Sequence, residues 1–184
     1  PSKIMSAVTQ IGDMIFPQLK ERMPGVIPVG LDQAPHLRLC RDYIRRAKEK
    51  KYFLISSIYN KFTPSLDGGF KMSKSKPESA IDLPESDEVI KRRLMRAVTG
   101  GRKTLEEHRK LGGEPEKCTV FELLKQHLVE DDKKLDKIYK EYKSGKLTSM
   151  EIKQIGIENM IKFMHDFEKK LVKARKLKFK FYEG

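Results

Sequence analysis

The stretch GVIPVGLDQAPHLRLCRDYIRRAKEKKYFLISS, Gly25 to Ser57, decides how the first part of the chain folds. Its opening, GVIPVG, is short and apolar and closes on Gly30, which reads as a buried strand ending in a turn. Asp32 and Gln33 follow at once. Leu37, Cys40 or Arg41, Ile44 and Ala47 then recur at helical spacing. Pro35 suits the first turn of that helix, where a missing N–H costs nothing. YFLISS, Tyr52 to Ser57, reads as a second strand. Strand, helix, strand is a βαβ unit with an expected right-handed connection. In such sheets ligands sit beyond the carboxyl ends of the strands. Asp32, a good acceptor for hydroxyl groups, and Gln33 fall at that place.

From about Pro84 the texture becomes helical throughout. Ile90, Leu94 and Val98 repeat every four residues. Thr104 with Glu107, Thr119 with Glu122, and Thr148 with Glu151 fit the capping-box spacing. Gly100-Gly101 and Gly112-Gly113 read as helix stops. DDKKLDKIYKEYKSG places Leu135, Ile138, Tyr139 and Tyr142 on one helical face. A long amphipathic helix is expected from about Thr148 towards Ala174. The tail RKLKFKFYEG alternates basic and apolar residues, as an edge strand or an extended arm does. The expected organisation is an α/β part over residues 1–83 and an all-helical part over 84–184, mostly α overall.

The 184 residues are 38% apolar and 35% charged, a composition that supports a packed core. The net charge of +13 favours a polyanionic partner such as nucleic acid, although a lysine-rich thermophile surface explains it equally well. Both parts are basic, with 14 Lys and Arg against 8 Asp and Glu up to residue 83 and 25 against 18 beyond it. The charge therefore belongs to folded surface in each part rather than to one tail. Cys40 and Cys118 lack CxxC or zinc spacing and read as free thiols of a reducing compartment. No run approaches the roughly 20 apolar residues of a membrane span, and no signal peptide is visible. A cytoplasmic protein is the expectation, with no membrane partner and no protein metal site. The first residue is proline, which fits either an excised piece or loss of an initiator methionine.

Near the end of the first part lies GGFKMSKSKPESAI, Gly68 to Ile81. A loop that stabilises a polyphosphate in its transition state needs ammonium groups, hydroxyl or backbone donors beside them, and hinges. Lys71 and Lys74, Ser73 and Ser75, and Gly68-Gly69 supply those parts. A solvated Lys/Ser loop is the plain alternative.

The string KMSKS, Lys71 to Ser75, is the signature loop of class I aminoacyl-tRNA synthetases, and GLDQ precedes it by 38 residues from Gln33 to Lys71, with the βαβ unit between. GLDQAPHLRLCRD (30–42), GGRKTLEEHRKLGG (100–113), LVEDDKKLDKIYKEYKSG (128–145) and the terminal RKLKFKF resemble segments of the archaeal and eukaryotic tryptophanyl-tRNA synthetases. The resemblance spans nearly the whole chain. It implies the C-terminal portion of a Rossmann-type catalytic domain with its loop, followed by a helical tRNA-binding domain. It implies ATP-dependent activation of tryptophan and transfer to tRNA(Trp), with Mg²⁺ accompanying ATP, and a homodimer of the full-length enzyme.

The same resemblance assigns roles. Lys71, Ser73, Lys74 and Ser75 hold the pyrophosphate, with Lys74 foremost. Gly30, Asp32, Gln33 and Met72 belong to the ATP site, Asp32 at the ribose, and Met72 doubles as a loop anchor. KIMSAVTQIGD puts Gln10 beside the amino acid, where its amide can accept from an indole N–H; Gln33 lines the same adenylate site. A purely structural Gln10 stays open. Arg102, Lys173, Arg175 and Lys176 are the tRNA-binding candidates. His36 and His108 read as structural residues. One departure matters: the family's first ATP signature, an HxGH-type sequence, is missing, and His36, His108, His127 and His165 offer no such pair. The chain is therefore expected to be a fragment that is inactive alone. A tyrosyl enzyme fragment and a non-catalytic tRNA-binding module are the alternatives.

Overall fold

The computed structural model describes residues 2–47, 52–73 and 75–177. They form two compact units, Pro1–Phe62 and Thr63–Gly184.

The first unit runs α1 (Ser2–Ile15), β1 (Val26–Gly30), α2 (Ala34–Arg46) and β2 (Ser56–Asn60). The strands pair in parallel, Val26 opposite Ser56 and Gly30 opposite Asn60, with α2 as the crossover. Leu37, Cys40 and Ile44 repeat along the buried face of α2 and meet Ile15 and Ile55. The second strand lies later than its apolar sequence implies, beginning at Ser56 instead of Tyr52. Side chains have taken the backbone groups ahead of it. The Gln18 amide donates to the Phe53 carbonyl and accepts from the Phe53 N–H, and Arg41 Nε donates to the Ile55 carbonyl at 2.7 Å. Those groups are satisfied without a ladder.

The second unit contains α3 (Asp87–Arg96), α4 (Leu105–Leu111), α5 (Thr119–Leu123) with a π-helical extension over Leu124–Leu128, α6 (Asp132–Lys143) and α7 (Ser149–Ala174). Fifteen buried residues form its core among the described residues, against five in the first unit. At about 1.5–3 kcal/mol per fully buried large apolar side chain, most of the hydrophobic stabilisation resides here. Ile90 and Leu94 of α3, Val120 and Leu124, Ile138 and Tyr142 of α6, and Ile152 and Met164 of α7 converge. Helices α5 and α7 approach closely at Gly156, where a Cβ would stand 2.4 Å from Val120 Cγ1.

The division at Phe62 falls earlier than the change of sequence texture at 83. Residues 63–83 pack on the helices. The Leu66 carbonyl accepts from the Val98 N–H at 2.7 Å, the Ala80 carbonyl accepts from Arg93, and Met72 and Ile81 lie against the helical core. Two other readings change. Thr119 does not cap α5. Its hydroxyl donates to the Val98 carbonyl at 2.9 Å, and Cys118 Sγ accepts the Phe121 N–H in its place. Gly100-Gly101 does not end a helix, since α3 stops at Arg96; Gly100 instead accepts from the Glu114 N–H at 2.7 Å. Residues 178–184 of the alternating tail lie outside the described residues.

The long helix α7 begins with a complete capping box: Thr148 accepts from the Glu151 N–H, and the Glu151 carboxylate accepts from the Thr148 N–H at 2.7 Å. These bonds hold the Glu151 carboxyl below the usual glutamate value. A depressed folded pKa gives a contribution that is complete above roughly pH 4.3 and lost as pH falls through the lower folded value. Thr148→Ala is therefore expected to cost about 1 kcal/mol at neutral pH, and less in strong acid. Urea unfolding at the two pH values measures the difference.

Candidate functional site

In the first unit the candidate residues gather at the carboxyl end of β1. Gly30 is its last residue, and the single-turn 3₁₀ helix Leu31–Gln33 leads directly into α2. A side chain at position 30 would force Phe62 and Asp32 to shift, since a Cβ would come within 2.9 Å of both the Phe62 ring and Asp32 Oδ1. Asp32 is exposed and Gln33 half-buried. Helix α2 carries Pro35 in its first turn and starts where Asp32 and Gln33 project, so its amide end is available to negative charge. Gln10 lies on α1, and its Oε1 is buried without a hydrogen-bond partner. A native protein rarely leaves a buried amide oxygen unpaired. Arg41 is the residue that sequence reasoning passed over: it clamps α2 to the segment entering β2, donating to the Ile55 carbonyl and, at 2.7 Å, to Ser57 Oγ. Its only signal was a charge interrupting an otherwise apolar helical stripe.

In the second unit the signature loop leaves and returns through a bonded base. Leu66 N–H donates to the Ser79 carbonyl at 2.8 Å, joining the two stems. Asp67 accepts from Ser65 Oγ and from the Gly69 N–H, and lies 3.6 Å from Lys76 Nζ on the other stem. Those hydrogen bonds, the Ser65 bond foremost, hold the Asp67 carboxyl below its usual value. Gly68 turns the chain at φ +85°, a left-handed conformation that other residues adopt at a cost. Beyond it Phe70 and Lys71 are exposed, Met72 packs against the helical core, and Ser73 Oγ lies 2.9 Å from Ser75 Oγ. Lys74 lies outside the described residues. The loop thus presents hydroxyl groups and the Lys71 ammonium outward while Met72 anchors it inward. Met72 also lines a cavity of about 360 Å³ with Ile81, Leu83, Leu123, Met160 and Phe163.

The helical part treats its candidates differently. Arg102 Nε donates to the Gly112 carbonyl at 3.0 Å, and its Nη1 lies 3.9 Å from Glu114. His108 is buried, its Nε2 2.9 Å from the Leu147 carbonyl, and Arg109 donates to the Gly145 carbonyl at 3.0 Å. The GGR…EEHR…GG segment is therefore a clasp joining α4 to the turn between α6 and α7. Lys173, Arg175 and Lys176 are exposed at the C-terminal end of α7. That position complements the negative end of the helix dipole and leaves the charges facing solvent. Among the described residues no three His, Cys, Asp or Glu side chains gather as a metal site, and no helix is long and apolar enough to cross a membrane.

The chain as a whole is similar to known proteins. Tryptophan–tRNA ligase of Methanocaldococcus jannaschii is 44% identical over 98% of this chain and 50% of its own length. That of Hyperthermus butylicus is 45% identical over 95% of this chain and 48% of its own. The crystal structure of tryptophanyl-tRNA synthetase from Aeropyrum pernix superposes with a TM-score of 0.87 at 42% identity, covering 95% of this chain and 48% of that one. The chain spans about half the length of the curated relatives it matches. The fold is that of a class I synthetase, mostly helical with a small parallel sheet consistent with part of a Rossmann-type domain. Residues 10–165 match the model of the class I tRNA synthetases for tryptophan and tyrosine (W and Y), and the chain belongs to that family.

Proposed function

We propose that the chain serves as one part of a tryptophan–tRNA ligase, which activates tryptophan with ATP and transfers it to tRNA(Trp). The observation that carries the reading is the occurrence in one sequence of the KMSKS string and of a GLDQ turn at the end of a parallel strand, in a chain whose relatives at 44% and 45% identity are tryptophan–tRNA ligases. Asp32 accepts from ribose hydroxyls, Gly30 leaves room for close approach, and Gln33 lines the adenylate. The unpaired Gln10 Oε1 accepts the indole N–H of tryptophan, a donor that the phenol of tyrosine does not offer in the same form. Lys71, Ser73, Lys74 and Ser75 stabilise the charge that moves onto pyrophosphate when the tryptophan carboxylate attacks the α-phosphorus. Met72 carries the loop on the helical core. Mg²⁺ bound to ATP would supply further charge neutralisation. Lys173, Arg175 and Lys176 face tRNA phosphates, and Arg102 adds a contact from the Gly-Gly-Arg turn near the other end of α7. The working enzyme is a cytoplasmic homodimer.

The chain aligns with half of each relative, and it lacks the HxGH-type partner of its loop. The chain alone is therefore expected to give no tryptophan-dependent ATP–pyrophosphate exchange, whereas a protein of the relatives' length that carries it exchanges with tryptophan and not with tyrosine. Exchange driven by tyrosine would overturn the amino-acid assignment. Exchange by the isolated chain would overturn the division of the ATP site.

A further inference from the structure

Arg93 is a buried charge that the proposed chemistry does not use. It sits on α3 with 7% of its surface exposed, unusual for a guanidinium. Among the described residues, every polar partner it has lies on the chain that returns from the signature loop. Nη1 donates to the Ala80 carbonyl at 3.1 Å and to the Glu85 carboxylate at 2.8 Å, and Asp82 lies at 3.7 Å. The next charges extend the same network. Glu78 accepts from Arg92 at 2.8 Å and lies 3.6 Å from Arg96. Three arginines of one short helix thus face a single eight-residue return segment.

One donor in this network is idle. Arg93 Nε is buried and makes no hydrogen bond, while Glu78 Oε1 stands 4.0 Å away. That is about 1 Å too far for a hydrogen bond, and a buried donor left unpaired opposes the arrangement that leaves it so. Glu78 belongs to the 3₁₀ turn Pro77–Ser79, just past the loop, and its side chain is more than half exposed. Its Oε1 already accepts from Arg92, so the carboxylate that faces the Arg93 Nε–H is held by a second arginine of the same helix. Ala80 and Glu85 lie further from the loop and are already bonded.

We propose that Arg93 is a positioning residue for the signature loop: its bonds to Ala80 and Glu85 fix the return stem, and its Nε–H, 4.0 Å from Glu78, holds that carboxylate beside the stem. The inference rests on the reading of the loop as a polyphosphate clamp. Arg93 itself touches no reacting atom. A lysine here could hold Ala80 or Glu85 but has no second donor at a fixed angle for Glu78. The opposite stem carries Gly68-Gly69, so the backbone freedom lies at the entry and the anchor at the return.

Two measurements test the proposal. In the chain itself, Arg93→Lys is expected to accelerate amide hydrogen exchange at Leu66, Ser79 and Ala80, whose N–H groups bond within the loop base, by about tenfold, with α6 and α7 changed less than about twofold. A merely structural arginine would raise exchange across the whole unit in step with a fall in Tm, and that result overturns the anchor, as does unchanged exchange at the loop base. In the enzyme of the relatives' length, Glu78→Ala leaves the Ala80 and Glu85 bonds in place and is expected to lower kcat for pyrophosphate exchange by roughly tenfold while the KM for tryptophan holds. An unchanged kcat in that variant overturns the part of the proposal that runs through Glu78, provided that Lys74→Ala still slows the enzyme. If Lys74→Ala has no effect either, the clamp reading fails and the proposal falls with it. Because Glu78 is on the surface, its variant remains informative even where Arg93→Lys unfolds the chain.

Discussion

Replacing Lys74 with alanine, in a protein of the relatives' length that carries this chain, is expected to slow tryptophanyl-adenylate formation by roughly 10²–10³-fold, the usual loss for one donor aimed at developing charge. The KM for tryptophan should stay within about twofold, because the interaction strengthens only as charge moves onto pyrophosphate. In the sequence Lys74 falls between Ser73 and Ser75, whose hydroxyls lie 2.9 Å apart, and the loop is held at its base by the Leu66–Ser79 and Asp67–Lys76 contacts. Such a base lets an ammonium be presented repeatedly in one place, which is what transition-state stabilisation requires. Lys71→Ala should act in the same direction. Single-turnover adenylate formation separates this effect from product release. A Lys74→Ala enzyme with unchanged rate and a raised KM for tryptophan would assign the lysine to ground-state binding and remove it from the chemistry.

Gly112→Ala is expected to be the most damaging single methyl group in the helical unit, costing about 3 kcal/mol or more. Gly112 ends α4 at φ +73°, and a Cβ built there would stand 1.8 Å from the Lys143 carbonyl oxygen, a backbone atom that no rotamer change can move. The strain adds to the clash, since alanine pays for the left-handed conformation as well. Its carbonyl also accepts from Arg102, so the clasp between α4 and the end of α6 would open with it. Gly12→Ala is the matched control. Nothing lies within 4 Å of a Cβ there, and the position is inside α1, where alanine is worth about 0.5–1 kcal/mol more than glycine. Thermal unfolding of the two variants should move in opposite directions. Equal, small shifts would mean that the α4–α6 contact contributes little to the unit.

Local patterns reported local structure well. The buried stripe Leu37, Cys40 and Ile44 made α2 legible because a helix repeats its inner face every three to four residues. Thr148 and Glu151 announced the start of α7 because a capping box involves only neighbours in sequence. The same logic failed at Thr119, whose spacing to Glu122 was right but whose hydroxyl found the Val98 carbonyl, a partner supplied by a distant part of the chain. It failed again at YFLISS, where apolar composition implied a strand from Tyr52 but Gln18 and Arg41 claimed the backbone groups that a ladder would have used.

The candidate site divides along the same line. The sequence by itself determined the chemistry on offer: an acidic turn after a strand, a Lys/Ser loop between glycine hinges, and a basic surface on both parts. Residue types and short spacings carry that information directly. Only the tertiary structure decided what each group is attached to. It gave Gln10 a buried oxygen with no partner, bound Arg102 to Gly112, and set Met72 into the helical core. It also made residues 63–83 travel with the helices, and it aimed Arg93 at the return stem of the loop. These facts depend on which distant carbonyls and carboxylates a folded chain brings within 3 Å, and no spacing along the sequence encodes that distance.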